Sequence, residues 1–329
     1  MRPPFFLAVL VAVLACAPTL ATAASDRGAP SVRSAIFYYP WYGNPANDGA
    51  YEHWQQNGGR PPQRIASAYF PSRGVYSSGD RAVVAAQMRE IAATGVDQIV
   101  VSWWGRGSLE DERLGLTAAA ARAAGLSVAA HIEPYPGRSA TSVEADVAYL
   151  QPLGITDVYV YRADDVPAAE WAPVNDRVTA PARLFAQTGR VGQAAAGHFD
   201  GVYTYDILVW GGGSFRRICT QAHAAGLLCA PSVGPGYDAR RASGDERLKA
   251  RRGGATYDAM WQAALGSGGD LVTITSYNEW HEGTQIEPAR ARTGYRSYDG
   301  AWGRRGRPAE TAYVDRTADW VRRLEQRGR

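Results

Sequence analysis

The strongest constraint on this chain is an alternation of short β-rich runs with Ala-rich helical stretches, carried along most of its 329 residues. Runs at 35–39, 98–103, 127–132, 157–161, 183–187, 201–205, 227–232 and 271–276 have the length and the Val, Ile, Tyr and Phe content of strands. Stretches at 80–94, 108–124, 141–150, 189–197, 214–225, 256–265 and 310–323 have helical character. Several open on Ser, Thr or Asp and stop before a glycine, as at Gly95, Gly125 and Gly226. Eight strands with intervening helices predict an α/β protein, a (β/α)8 TIM barrel with parallel strands. Without internal repeats or a long low-complexity linker, one domain is expected over 35–329, preceded by a short linker at 25–34.

In such a barrel the site is built from loops at the carboxyl ends of the strands, which converts the strand pattern into candidate residues. The first strand is followed by Tyr39 and a long loop with His53, and the second ends at Trp103. The third ends at His131 and Glu133, the sixth reaches Tyr205 and Asp206, and the seventh leads to Tyr237. The eighth delivers Asn278, Glu279, Trp280, His281 and Glu282. Glycoside hydrolysis needs a carboxyl group to protonate the leaving oxygen and normally a second carboxylate on the sugar side. Glu279 and Glu282, three apart beside Trp280, are the candidate catalytic pair, since burial against aromatics keeps a carboxyl protonated near neutral pH. Tyr39, His53, Trp103, His131, Glu133, Tyr205, Tyr237 and Asn278 are the candidate substrate-binding residues, as stacking faces and hydroxyl partners. Any one of these aromatics could equally be core, and a Glu pair at this spacing could be a surface ion pair or cap. The 10 Trp and 18 Tyr supply rigid apolar faces with polar tips, which suit sugar rings.

Other chemistries find less support. Lys and Arg number 35 and Asp and Glu 32, a net charge of +3 that gives no dense positive field for nucleic acid. No His-Glu-x-x-His, dinucleotide fingerprint or Walker loop is present, so no metal and no cofactor are expected. Gly211, Gly212 and Gly213 read as a glycine turn, and the Arg-rich segments near the carboxyl end as solvated surface. Residues 1–24 read as a secretory signal ending in Ala21-Thr22-Ala23, with lipid anchoring through Cys16 as the alternative. No later run reaches the ~20 apolar residues of a membrane span, so a secreted monomer is expected. Cys219 and Cys229, ten apart, either pair or stay as buried thiols.

Five blocks occur in order: Phe-Tyr-Tyr-Pro-Trp-Tyr-Gly-Asn-Pro at 37–45, His-Ile-Glu-Pro-Tyr at 131–135, Asp-Gly-Val-Tyr-Thr-Tyr at 200–205, Pro-Ser-Val-Gly-Pro-Gly-Tyr at 231–237, and Tyr-Asn-Glu-Trp-His-Glu-Gly-Thr-Gln-Ile-Glu at 277–287. Together they resemble glycoside hydrolase family 99, the endo-α-mannosidases. The resemblance implies a metal-independent barrel enzyme that cuts inside α-mannan or N-glycan-type chains at α-1,2 bonds with retention. It implies that the sugar's own 2-hydroxyl attacks the anomeric carbon through an epoxide-like intermediate. Glu279 would be the base on that hydroxyl, Glu282 the acid and then base at the leaving oxygen, and Glu133 a sugar-binding glutamate. Better-known members tend to carry Asp-Ser-Tyr after the fourth strand, where this chain has Arg162 and Ala163, which puts subsite preference in question. The rivals are a non-catalytic glycan-binding barrel and a hydrolase of the same fold acting on another α-linked polysaccharide.

Overall fold

Apart from Met1, the computed structural model describes residues 32–178 and 180–327. The expected export segment, with Cys16, and most of the 25–34 linker lie outside the described residues.

Strands β1 (Ser34–Tyr38), β2 (Gln98–Trp103), β3 (Ser127–Ile132), β4 (Asp157–Val160), β5 (Arg183–Gln187), β6 (Gly201–Tyr203), β7 (Leu228–Ala230), β8 (Ser232–Val233) and β11 (Val272–Ile274) form one parallel sheet in the order β7-β6-β5-β4-β3-β2-β1-β11-β8. β7 and β8 are two halves of the seventh run, parted at Pro231, which has no N–H to give to a ladder. The first half pairs with β6 and the second with β11, so the sheet closes on itself as the expected barrel. A separate antiparallel pair, β9 (Tyr237–Asp238) and β10 (Leu248–Lys249), rises from the seventh loop and has no counterpart in the sequence pattern.

Residues on both faces of these strands are buried, because helices cover the outside. These are α2 (Arg81–Ala93), α3 (Leu109–Ala123), α4 (Ala140–Leu150), α5 (Ala168–Asn175), α6 (Val191–Ala196), α7 (Gly212–Ala224), α8 (Ala255–Leu265) and α10 (Ala312–Gln326); the four-residue α1 (Pro45–Asp48) and α9 (Arg307–Glu310) lie in loops. Side chains of Asp80 and Ser108 cap the first turns of α2 and α3, and Ser139 with Ser142 forms a capping box on α4. α5, short and containing Pro173, escapes the helical pattern. The Gly211–Gly213 segment, expected as a turn, caps and opens α7, and a Cβ on Gly212 would sit 2.6 Å from Ala263 of α8. There the missing side chain sets how closely the two helices pack.

Inside, register puts His131 beside Tyr159 and Tyr159 beside Phe185. Their rings, with Phe37 and Tyr203, pack edge-on and stacked at centroid distances of 4.7–5.9 Å. Gly201, beside Phe185 in β6, makes room for that ring: a Cβ there would lie 2.6 Å from it. The barrel is thus filled by aromatics, each burying roughly 150–250 Å². The floor of the site above it is correspondingly rigid. The expected cysteine alternatives resolve to a pair: Cys219 of α7 is bonded to Cys229 of β7.

Candidate active site

Glu279 and Glu282 lie in one turn just past β11. The turn is closed by Trp280 N–H donating to Asn278 O at 3.0 Å and Gly283 N–H to Trp280 O at 3.3 Å. Gly283 has φ +64°, which a glycine adopts without penalty. Asn278 latches the turn to the end of β1: its Oδ1 accepts from Tyr39 N–H at 2.8 Å and its Nδ2 donates to Tyr39 O at 3.0 Å. The Asn278 side chain is wholly buried, so its work in this structure is to hold two strand ends together.

Below the turn, Glu287 receives four donors: Trp280 Nε1, Tyr76 Oη and Gln87 Nε2, each at 2.8 Å, and Arg73 Nε at 3.2 Å. Burial pushes its carboxyl up to about 7 against the pull of Arg73. Through Trp280 this buried acid fixes the segment between the two candidate catalytic glutamates. Sequence reasoning had no signal for that role beyond the presence of Glu287 in the motif.

Glu279 is 2% exposed. Its N–H is fixed by Ser276 Oγ at 2.8 Å, and its Oε1 accepts from His281 N–H at 3.1 Å. Burial first, then the neighbouring Glu282 and Glu133, drive its proton affinity well above that of an ordinary carboxylate. Glu282 stands in a small cleft with Tyr161, Tyr205, Asp206, Tyr237 and Arg247. Burial, with Asp206 and Glu133 behind it, pushes Glu282 up to about 8. Burial thus raises the proton affinity of both carboxyls, and the two differ in access: Glu279 is sealed in the turn, whereas Glu282 lines the cleft, where it can hand a proton to a bound group.

The remaining candidates are placed differently. Tyr39 and Tyr205 meet hydroxyl to hydroxyl above Phe37, and burial and the glutamates hold both phenols in the neutral form. Glu133 accepts from Ser102 Oγ at 2.8 Å and lies 3.0 Å from His131 Nδ1, whose Nε2 meets Tyr203 Oη at 2.8 Å. These surround the carboxyl pair. His53 and His281 form a stack with Trp41, rings 4.6 Å and 5.8 Å from the indole, and His281 Nε2 donates to His53 O at 2.9 Å. Burial pushes His53 down to about 4 and His281 to about 3, so both are neutral. Tyr237 reaches the cleft from β9 and gives its hydroxyl to Asp245 at 2.8 Å. Trp103 alone stands apart: it is 0% exposed, bonded through Nε1 to Asp111 at 2.9 Å and packed on Tyr149, so no ring face is open to a sugar. Arg162, beyond β4, turns its guanidinium to Asp165 at 3.0 Å. Asp206 was expected on this rim without a role, and Arg247 and Tyr161 were not among the expected site residues; their cleft forms only when the fourth, sixth and seventh loops meet.

Two larger depressions, of about 470 and 660 Å³, lie on the outside between helices and carry no carboxyl pair. Among the described residues no three His, Cys, Asp or Glu side chains converge as a metal site, and no helix is long and apolar enough to cross a membrane.

The family model for glycosyl hydrolase family 99 matches residues 32–168 and 183–326. A glycoprotein endo-alpha-1,2-mannosidase-like protein of Danio rerio is 31% identical over 312 residues, covering 77% of this chain and 70% of that protein. The glycoprotein endo-alpha-1,2-mannosidase of Xenopus laevis is 30% identical over 319 residues, covering 79% and 70%. Among solved structures, the GH99 endo-alpha-mannosidase of Bacteroides thetaiotaomicron superposes with a TM-score of 0.81 at 29% identity, covering 89% of this chain and 98% of that one. With barrel, carboxyl pair and family match in agreement, the chain belongs to glycosyl hydrolase family 99 and is a glycoside hydrolase.

Proposed function

We propose that this enzyme is an exported, retaining endo-α-mannosidase that cuts internal α-1,2 bonds of mannan or N-glycan-type chains. The observation that carries the reading is two carboxyls in one turn with unequal access, Glu279 sealed and Glu282 lining the cleft; in the reactive form the pair holds one proton, on Glu282, and Glu279 is ionised. In the first step Glu279 takes the proton of the sugar's 2-hydroxyl, that oxygen bonds to the anomeric carbon, and Glu282 protonates the departing glycosidic oxygen. In the second, Glu282 takes a proton from water, the water oxygen bonds to the anomeric carbon as its bond to O2 breaks, and Glu279 returns its proton to O2. Two inversions give retention without an ester to a carboxylate. The Cys219–Cys229 bond fits an oxidising compartment outside the cytoplasm.

The test is incubation with yeast-type α-mannan and a panel of other α-glycans, reading released oligosaccharides by mass and linkage. Internal cleavage of mannan that Glu279→Gln and Glu282→Gln abolish supports the proposal. Cleavage of a different α-glycan moves the substrate and keeps the chemistry. Binding without release from any glycan overturns it in favour of a lectin-like barrel.

A further inference from the structure

The hairpin formed by β9 and β10 is tied to the catalytic turn on one side and to the β6 loop on the other. Asp238 N–H donates to Glu282 O at 2.7 Å, and Lys249 Nζ donates to Ile207 O at 2.8 Å. Asp238 is itself clamped by Arg240 at 2.9 Å and Arg296 at 3.0 Å. The hairpin is therefore a fixed wall of the Glu282 cleft. From it Arg247 and Tyr237 enter the cleft, and both are held by one carboxylate: Asp245 Oδ2 lies 2.6 Å from Arg247 Nη2 and accepts from Tyr237 Oη at 2.8 Å. From the opposite wall comes Asp206, its Oδ1 fixed by Leu208 N–H at 2.8 Å and Val209 N–H at 3.2 Å.

We propose that Asp206 and the Asp245–Arg247 pair are positioning residues for the transferable proton of Glu282: Asp206 holds the proton there, Arg247 favours its departure, and Asp245 restrains Arg247. This rests on the reading of Glu282 as the proton donor. A fixed negative charge beside a carboxyl disfavours its ionisation, and a fixed positive one favours it. The other groups facing Glu282 are Glu133 from the β3 loop and Glu279 on its own turn, with the neutral phenols of Tyr161, Tyr205 and Tyr237 around the cleft. None of these is cationic; among the residues lining the cleft Arg247 is the cation, while Lys249 is held on Ile207 O and Arg240 and Arg296 on Asp238. The Arg247 side chain is 63% exposed, so solvent weakens but does not remove its field.

The test is a carboxyl titration of protein labelled with ¹³C-glutamate, the Glu282 resonance being the one missing in Glu282→Gln. Asp206→Asn and Asp245→Asn should lower its midpoint, and Arg247→Met should raise it, each by about half a pH unit. In turnover of a mannan oligosaccharide, the alkaline limb of kcat should move with it in the same directions. A midpoint unmoved in all three variants, or moved downward by Arg247→Met, overturns the inference. If the midpoint moves as stated while Glu282→Gln turns over at the wild-type rate, the charge assignment stands and the reading of Glu282 as acid falls.

Discussion

Replacing Glu282 by Gln exchanges a carboxyl that the fold keeps protonated for a neutral amide of the same shape. The folded group ionises at about 8, against 4.5 for an ordinary Glu. Between those values the unfolded chain gives up a proton that the folded chain retains, so stability is greatest below pH 4.5 and falls as pH rises toward 8. Each pH unit is about 1.4 kcal/mol, so by pH 7 the wild-type carboxyl costs at most about 3 kcal/mol, part of it screened where the group meets the cleft. The amide has no proton to lose. Glu282→Gln should therefore be more stable than wild type by about 2 kcal/mol at pH 7 and equal to it near pH 4. In the same preparation, turnover should drop by at least about 100-fold through loss of the general acid. Urea unfolding at both pH values, with m held common, reads the difference directly. A variant less stable than wild type at pH 7, or a difference that does not change with pH, refutes the argument that the fold stores its catalytic proton at the expense of stability.

Glu287→Ala removes the acceptor of three buried donors, on Trp280, Tyr76 and Gln87, while Arg73 keeps Glu90, and should cost about 3 kcal/mol or more in urea unfolding, with Glu287→Gln costing clearly less because it keeps one acceptor oxygen. Serine at Cys219 and Cys229 opens a loop with a sequence separation of 10, and chain entropy puts the loss near 3 kcal/mol, measurable as a lower denaturation midpoint without a change in product pattern.

Much of the architecture is local in origin and could be read from the chain. Gln98–Trp103, Ser127–Ile132 and Arg183–Gln187 are strands at the expected residues, because continuous apolar runs of this length can be buried on both faces only in a helix-covered parallel sheet. Asp80 and Ser108 mark helix starts because their side chains satisfy the first free N–H groups wherever the helix lies. Shorter elements were hidden: α5 carries a proline, and β9 with β10 is two residues against two, too little for a periodic signal. Glu279 and Glu282 could be chosen as chemistry because they follow the last strand in a run of unlike residues. Trp103 looked identical in kind, yet its ring is turned into the packing beside Tyr149, a direction no spacing encodes.

The sequence by itself determined the eight-strand period, the helix caps and the acid pair at a strand end, since each depends on residues within a turn or two of one another. The tertiary structure alone decided which neighbours surround that pair. Asp206, Arg247 and Glu133 come from three separate loops, and Glu287 reaches its donors on Tyr76 and Gln87 about 200 residues away in the chain. A carboxyl's proton affinity is set by burial and by charges within several ångströms, and those are properties of the closed barrel rather than of any segment in it.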